Sequence, residues 1–149
     1  IFCCTGILFN HESPLRSKEF VTKKIVDTAL RIKKNKKIIL QLGDVNIFRD
    51  WGWAPDYVEA MWLILQRKKP QDFIIGSGNV YSLKNFVNEV FKYLDISKKN
   101  LKTNVKRYKR KIDLKGYKAN INETKKILKW KPKLKFRTII HKMINDELF

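Results

Sequence analysis

The sequence predicts an α/β fold, and three observations carry that prediction. Apolar runs at Phe2 to Phe9, Ile38 to Leu42 and Phe73 to Ile75 have the length and residue types of strands. Each is followed by a segment whose apolar residues keep helical spacing. Strands alternating with helices build α/β sheets, and the polar residues after the first run lie where such sheets bind ligands, outside the carboxyl ends of the strands. At 149 residues, 44% hydrophobic and 12% aromatic, the chain can bury an ordinary core.

The first strand, Phe2 to Phe9, reads as buried. Cys3 and Cys4 are then two small buried hydrophobes rather than a disulfide or metal pair, because adjacent strand side chains face opposite ways. It leads into a loop, Phe9-Asn10-His11-Glu12-Ser13-Pro14, in which Asn10 and His11 would point at a ligand. An amphipathic helix follows, with Ser17 as N-cap and Val21, Ile25, Thr28, Ala29 and Ile32 at helical spacing. Lys23 and Lys24 fall in its early turns, where the dipole disfavours cations, so a nearby anion would relieve them.

Gly43-Asp44 closes the second strand as a turn. Beyond it, Arg49-Asp50-Trp51-Gly52-Trp53-Ala54-Pro55 opens a helix with Val58, Met61, Trp62 and Leu65 on one face, and Pro55 suits its first turn. The third strand runs into Gly76-Ser77-Gly78-Asn79-Val80-Tyr81. Tyr81 stands where a dinucleotide fingerprint needs its third glycine, so this is read as a structural turn before the helix of Leu83, Phe86, Val87, Val90, Phe91 and Leu94. From Ser97 to Lys118 the pattern loosens and the chain is most basic. Asn122 caps a short helix with Ile127 and Leu128, Trp130-Lys131-Pro132 stops it, and Ile139, Ile140, Met143, Ile144 and Leu148 pack a terminal helix.

The formal charge of +19 suits a polyanionic partner, but the lysines are spread along the chain rather than clustered. Zinc-finger spacing, an aromatic ribonucleoprotein motif and basic-leucine heptads are all missing, which argues against a nucleic-acid reader. No apolar run approaches the roughly 20 residues that span a bilayer. There is no zinc-protease His pair, no Gly-x-Ser-x-Gly elbow, and no Tyr followed four residues later by Lys. His11 reads equally as structural or ligand-binding, and His141 as structural. Because residue 1 is Ile and opens directly into a strand, the chain is expected to be the carboxyl-terminal part of something longer.

Together these residues resemble the GDP-mannose 4,6-dehydratases, a family of the extended short-chain dehydrogenase/reductase superfamily. The matching stretches are Gly6-Ile-Leu-Phe-Asn-His-Glu-Ser-Pro14, Phe20-Val-Thr-Lys-Lys-Ile25, Arg49-Asp-Trp-Gly52, Asp56-Tyr-Val-Glu59 with Trp62 and Leu65-Gln66, Asp72-Phe-Ile-Ile75, Tyr81-Ser82 with Phe86-Val87, and Trp130-Lys-Pro132. The resemblance implies the carboxyl-terminal portion, residues 1–149, of an extended Rossmann-type dehydratase, its last sheet strands interleaved with a small mixed substrate-binding lobe. It implies conversion of GDP-mannose to GDP-4-keto-6-deoxymannose, with bound NADP taking a hydride and returning it, in a cytoplasmic homodimer or tetramer. The family's base tyrosine and lysine, its threonine and glutamate, and its glycine-rich NADP turn lie in the half before this first strand, so no catalytic residue is assigned here.

By the same resemblance, His11 and Arg16 match positions that contact NADP. Asn10, Val21, Lys24 and Arg49 match positions that hold GDP-mannose, with the two cations suited to its diphosphate. Arg110 falls on the family's arginine for the diphosphate, and Asp113 where a glutamate grips the ribose. The chain departs from the family at Leu15, Lys23, Lys111, Ala119 and Asn120, which leaves nucleotide-sugar preference open. The rival readings are another epimerase or reductase of the superfamily, and a basic nucleic-acid-binding module with salt-sensitive affinity for any polyanion.

Overall fold

The computed structural model describes residues 1–108 and 116–146. Its strands pair two by two. β1 (Gly6–Leu8) lies parallel to β6 (Phe73–Ile75), β2 (Asn10–Glu12) parallel to β5 (Trp51–Trp53), and β3 (Leu40–Gln41) parallel to β8 (Leu101–Lys102). β4 (Phe48–Arg49) runs antiparallel to β7 (Tyr81–Ser82). Between them come helices α1 (Val21–Lys34), α2 (Ala54–Leu65) and α3 (Leu83–Tyr93), followed by α4 (Asn122–Leu128) and α5 (Phe136–Asn145). Parallel pairs need long crossover connections, so the alternation in the sequence becomes an α/β fold.

The expected first strand is only partly present. Gly6–Leu8 pairs with β6, while residues 1–5 precede any strand. The expected loop is instead a second strand. Phe9 donates its amide to Ile75 O (2.9 Å), and the next residue already pairs with Trp51, so one residue hands the chain from β6 to β5. Asn10 and His11 therefore sit on a strand, fixed by its register. The cysteines are not buried as expected: Cys3 is exposed, and Cys4 is half-buried with its Sγ accepting from the Gln71 amide (3.4 Å). The second strand is shorter than the apolar run, Leu40–Gln41.

α1 begins at Val21, not beside Ser17. Ser17 O accepts from the Phe20 amide (3.1 Å), a separate turn, and Phe20 stands at the N-cap without a side-chain cap. At α4 the capping position is Ile121, and Asn122 is the first helical residue, its amide donating to Asn120 Oδ1 (3.3 Å). α3 is capped reciprocally: Ser82 Oγ accepts from the Asn85 amide and Asn85 Oδ1 accepts from the Ser82 amide.

Two apolar clusters form. The larger joins α1, α3 and α5 to Trp51 and Trp53, with Ile25, Phe86, Val90 and Ile140 fully enclosed. The smaller lies beside β6, where Phe73 and Ile75 meet Tyr57, Ala60 and Ile64 of α2, with Leu128 and Trp130. That packing reverses the expected orientation of α2. Val58, Met61, Trp62 and Leu65 face solvent, and the buried residues are Asp56, Tyr57, Ala60 and Ile64. Both faces of α2 are apolar, so periodicity alone could not choose between them. Arg110, Lys111, Asp113 and Leu148 lie outside the described residues.

Candidate functional site

The Arg49–Gly52 stretch acts mostly through its neighbours. Asp50 is fully buried and its carboxylate accepts three backbone amides: Ser77 (2.7 Å), Gly78 (2.9 Å) and Ala119 (3.2 Å). The amides that would cradle a phosphate in the glycine-rich turn are thus occupied by this chain's own carboxylate. Gly76 is required there because a Cβ would fall 2.3 Å from Ala119 Cβ. Trp51 enters the large core. Gly52 makes room for Tyr57, whose ring carbon lies 2.3 Å from where a Cβ would be.

Tyr57 is the residue that joins the two motifs. Its hydroxyl donates to Asn10 O (3.3 Å) and its ring lies 5.0 Å from the His11 imidazole. Burial, with Asp50, Asp56 and Glu12 near, holds its phenol proton well above the ordinary range, so it stays a donor. His11 Nδ1 donates to Phe9 O (3.0 Å), which fixes the ring beside Tyr57.

Behind the strand, the fully buried Glu12 accepts from Thr22 Oγ1 (2.7 Å) and ties β2 to the first turn of α1. Burial pushes its carboxyl up to about 7 from an ordinary 4.5, against the opposing pull of Thr22 and Arg16. Arg16 Nε lies 3.6 Å from Glu12 Oε2, too long for a hydrogen bond, and is buried without an acceptor. The Arg16 guanidinium rests on the Phe20 ring at 3.6 Å.

A second cluster forms around Lys24. Its Nζ donates to Gln41 O (3.0 Å) and sits 3.6 Å over the Tyr108 ring, while Arg107 donates to Gln41 Oε1 (3.1 Å). Gly43 lets the Tyr108 carbonyl approach, since a Cβ there would lie 2.6 Å from it. The two early-turn lysines thus find partners within the chain: Lys24 here, and Lys23 on Asp27 at 3.5 Å. Val21 packs partly buried against the large core, and Arg49 Nη1 donates to Phe48 O (2.7 Å). Thr22 and Tyr57 lie in stretches that match the family, but no role for them, or for Arg107 and Tyr108, was assigned from the residues alone. For Tyr57 a signal existed, the glycine placed just ahead of a helix that opens with an aromatic residue. Among the described residues no cluster of three metal-ligating side chains forms, and no helix is long and apolar enough to cross a membrane.

The family model for GDP-mannose 4,6 dehydratase matches residues 1–143. The chain belongs to the GDP-mannose 4,6-dehydratase family. It is 40% identical to GDP-mannose 4,6 dehydratase 1 of Arabidopsis thaliana over 148 residues, 99% of this chain and 41% of that protein. It is 39% identical to GDP-mannose 4,6 dehydratase of Dictyostelium discoideum, covering 99% of this chain and 46% of that one. The chain therefore spans less than half the length of these dehydratases. Among solved structures it is similar to RMD from Pseudomonas aeruginosa complexed with NADPH (TM-score 0.85, 16% identity, 96% of this chain and 46% of that one). It is likewise similar to dTDP-glucose 4,6-dehydratase from Bacillus anthracis in complex with NAD (TM-score 0.83, 20% identity, 95% and 43%). At such identities the structures establish the Rossmann-type fold, while the dehydratase family is established by sequence.

Proposed function

We propose that the chain is the carboxyl-terminal, substrate-holding portion of a GDP-mannose 4,6-dehydratase, which converts GDP-mannose to GDP-4-keto-6-deoxymannose and water. The observation that carries this reading is that two stretches matching the family, Asn10–Pro14 and Arg49–Gly52, are built side by side by β2, β5 and Tyr57. Residues 1–149 then complete a dinucleotide-binding domain whose other half precedes them. The open apolar face of α2 and the share of the relatives' length that is matched both support this. A cytoplasmic enzyme, dimeric or tetrameric, fits the reading.

In this reading Arg49 and Lys24 hold the diphosphate, with Arg110, while Asn10 and Val21 bound the sugar nucleotide and Asp113 takes the ribose. Lys24 spends one of its three donors on Gln41 O, which leaves two for phosphate oxygens. The residues present also fit NADP: Arg16 has a buried donor without an acceptor and His11 is held in one orientation. When bound, the cofactor supplies the hydride transfer and its reversal. His11 and Arg16 hold it, and Glu12 and Tyr57 hold them in position.

Calorimetric titration of the chain with GDP-mannose, with UDP-glucose as control at two salt concentrations, tests the reading. Selective GDP-mannose binding is expected, weakened by Arg49→Ala by about tenfold or more, the worth of a lost charge-assisted pair. Equal, salt-sensitive binding of both sugars by the folded chain would overturn it.

A further inference from the structure

The segment from Lys129 to Phe136 reads Lys-Trp-Lys-Pro-Lys-Leu-Lys-Phe, a strict alternation of lysine with an apolar residue. The structure turns this alternation into two sides. Trp130 enters the smaller cluster and Phe136 the larger, with Pro132 and Leu134 half-buried between them, so the strap bridges the two. Lys129, Lys131, Lys133 and Lys135 are exposed on the opposite side. With Lys125 of α4 they rim a cavity of about 700 Å³, whose far wall is Ser77, Asn79 and Tyr81. Among the described residues no carboxylate lines it. Lys133 is paired with Glu59, but among the described residues no carboxylate pairs with the other four lysines.

Four uncompensated ammonium groups around one opening repel one another, and an anion in the cavity removes that repulsion. Lys129 ends α4 in the left-handed region (φ 52°), a position where glycine is the unstrained residue. The chain keeps a lysine there against local preference. The cavity also differs from a nucleic-acid groove. Trp51, Trp130 and Phe136 are buried and the half-buried Tyr81 already stacks on Phe136 (3.9 Å between ring centroids), so the lining offers bases little to stack on, and the volume is that of a small-molecule site.

We propose that this cavity is an anion site distinct from the one at Lys24 and Arg49, taking a small ligand with two or more phosphate groups on Lys125, Lys129, Lys131 and Lys135. Either an inorganic oligophosphate or the phosphate chain of a nucleotide supplies that chemistry. The site stands or falls independently of GDP-mannose binding, because different residues carry it.

The test is a nitrogen-15 NMR titration of the 149-residue chain with tripolyphosphate, and separately with ATP, following the amides of Trp130 to Phe136 and the Trp130 indole. Saturable shifts of these signals are expected with both probes; tighter binding of ATP would mark a nucleotide as the source. Lys131→Gln with Lys135→Gln should weaken them by about tenfold, and Arg49→Ala should leave them unchanged. Lys129→Gly separates ligand from fold: it should raise the thermal midpoint while lowering affinity for tripolyphosphate. Strap signals that do not move, that move equally in the double variant, or that respond only to a single-stranded oligonucleotide would overturn the proposal. So would Lys129→Gly binding as tightly as the parent chain.

Discussion

The two apolar clusters of this chain are closed to different degrees. Around α1, α3 and α5, each helix presents one apolar face and each face meets another, so that Phe86, Val90 and Ile140 are wholly enclosed. Beside β1 and β6, α2 covers the sheet with Tyr57, Ala60 and Ile64 but turns a second apolar face outward. Val58, Trp62 and Leu65 there remain 61%, 60% and 65% exposed, and Ile7 of β1 is 50% exposed. The first region is a lobe that satisfies itself. The second carries more apolar surface than it can bury, the mark of a face built to be covered. The two stretches that match the family run along the seam between the two: β2 and β5 carry Asn10, His11 and Gly52, and Glu12 reaches across to Thr22 in the lobe.

The contrast can be broken from either side. The largest effect should come from the closed lobe, where Phe86→Ala removes a fully buried ring packed against Trp51 and Phe136. Loss of about 3–5 kcal/mol in denaturant unfolding is expected. Next is the seam. The Glu12 carboxyl is held near 7 in the folded chain against 4.5 ordinarily, so the folded state binds the extra proton between those values. Its contribution to stability is therefore present below pH 4.5 and lost as the pH rises through 7. Glu12→Gln keeps an acceptor for Thr22 without the charge. It should raise stability at pH 8 by roughly 3 kcal/mol relative to the parent chain and change little at pH 4. Thermal unfolding of both across that range checks the sign. The smallest effect belongs to the open face, where Trp62→Ser should alter stability by less than about 0.5 kcal/mol. It should nonetheless reduce self-association in sedimentation, because it removes exposed apolar surface.

The same contrast explains what the sequence revealed. The closed lobe was legible: α1, α3 and α5 have a single apolar stripe each, and the residues that keep its spacing, such as Ile25, Phe86 and Ile140, are the ones buried. α2 was legible as a helix but not in orientation, since two apolar faces give periodicity no preference. The Asn10–Glu12 strand was hidden for another reason: three polar residues carry no strand pattern, and only their partner Trp51–Trp53 makes them one. Of the candidate site, the charged and motif-borne residues could be named from the chain as expectations. The contacts that position them could not, because Tyr57 under Gly52 and Asp50 under three amides act through tertiary contacts between distant stretches.

The most direct test of this division is native-state hydrogen exchange on the 149-residue chain. Amides of α3 and α5, around Val90 and Ile144, should exchange only through global unfolding, while those of β1 and α2 exchange through a separate opening of lower free energy. Protection of α2 and β1 equal to that of α3 and α5, lost in a single cooperative step, would contradict it and show that the open face needs no cover.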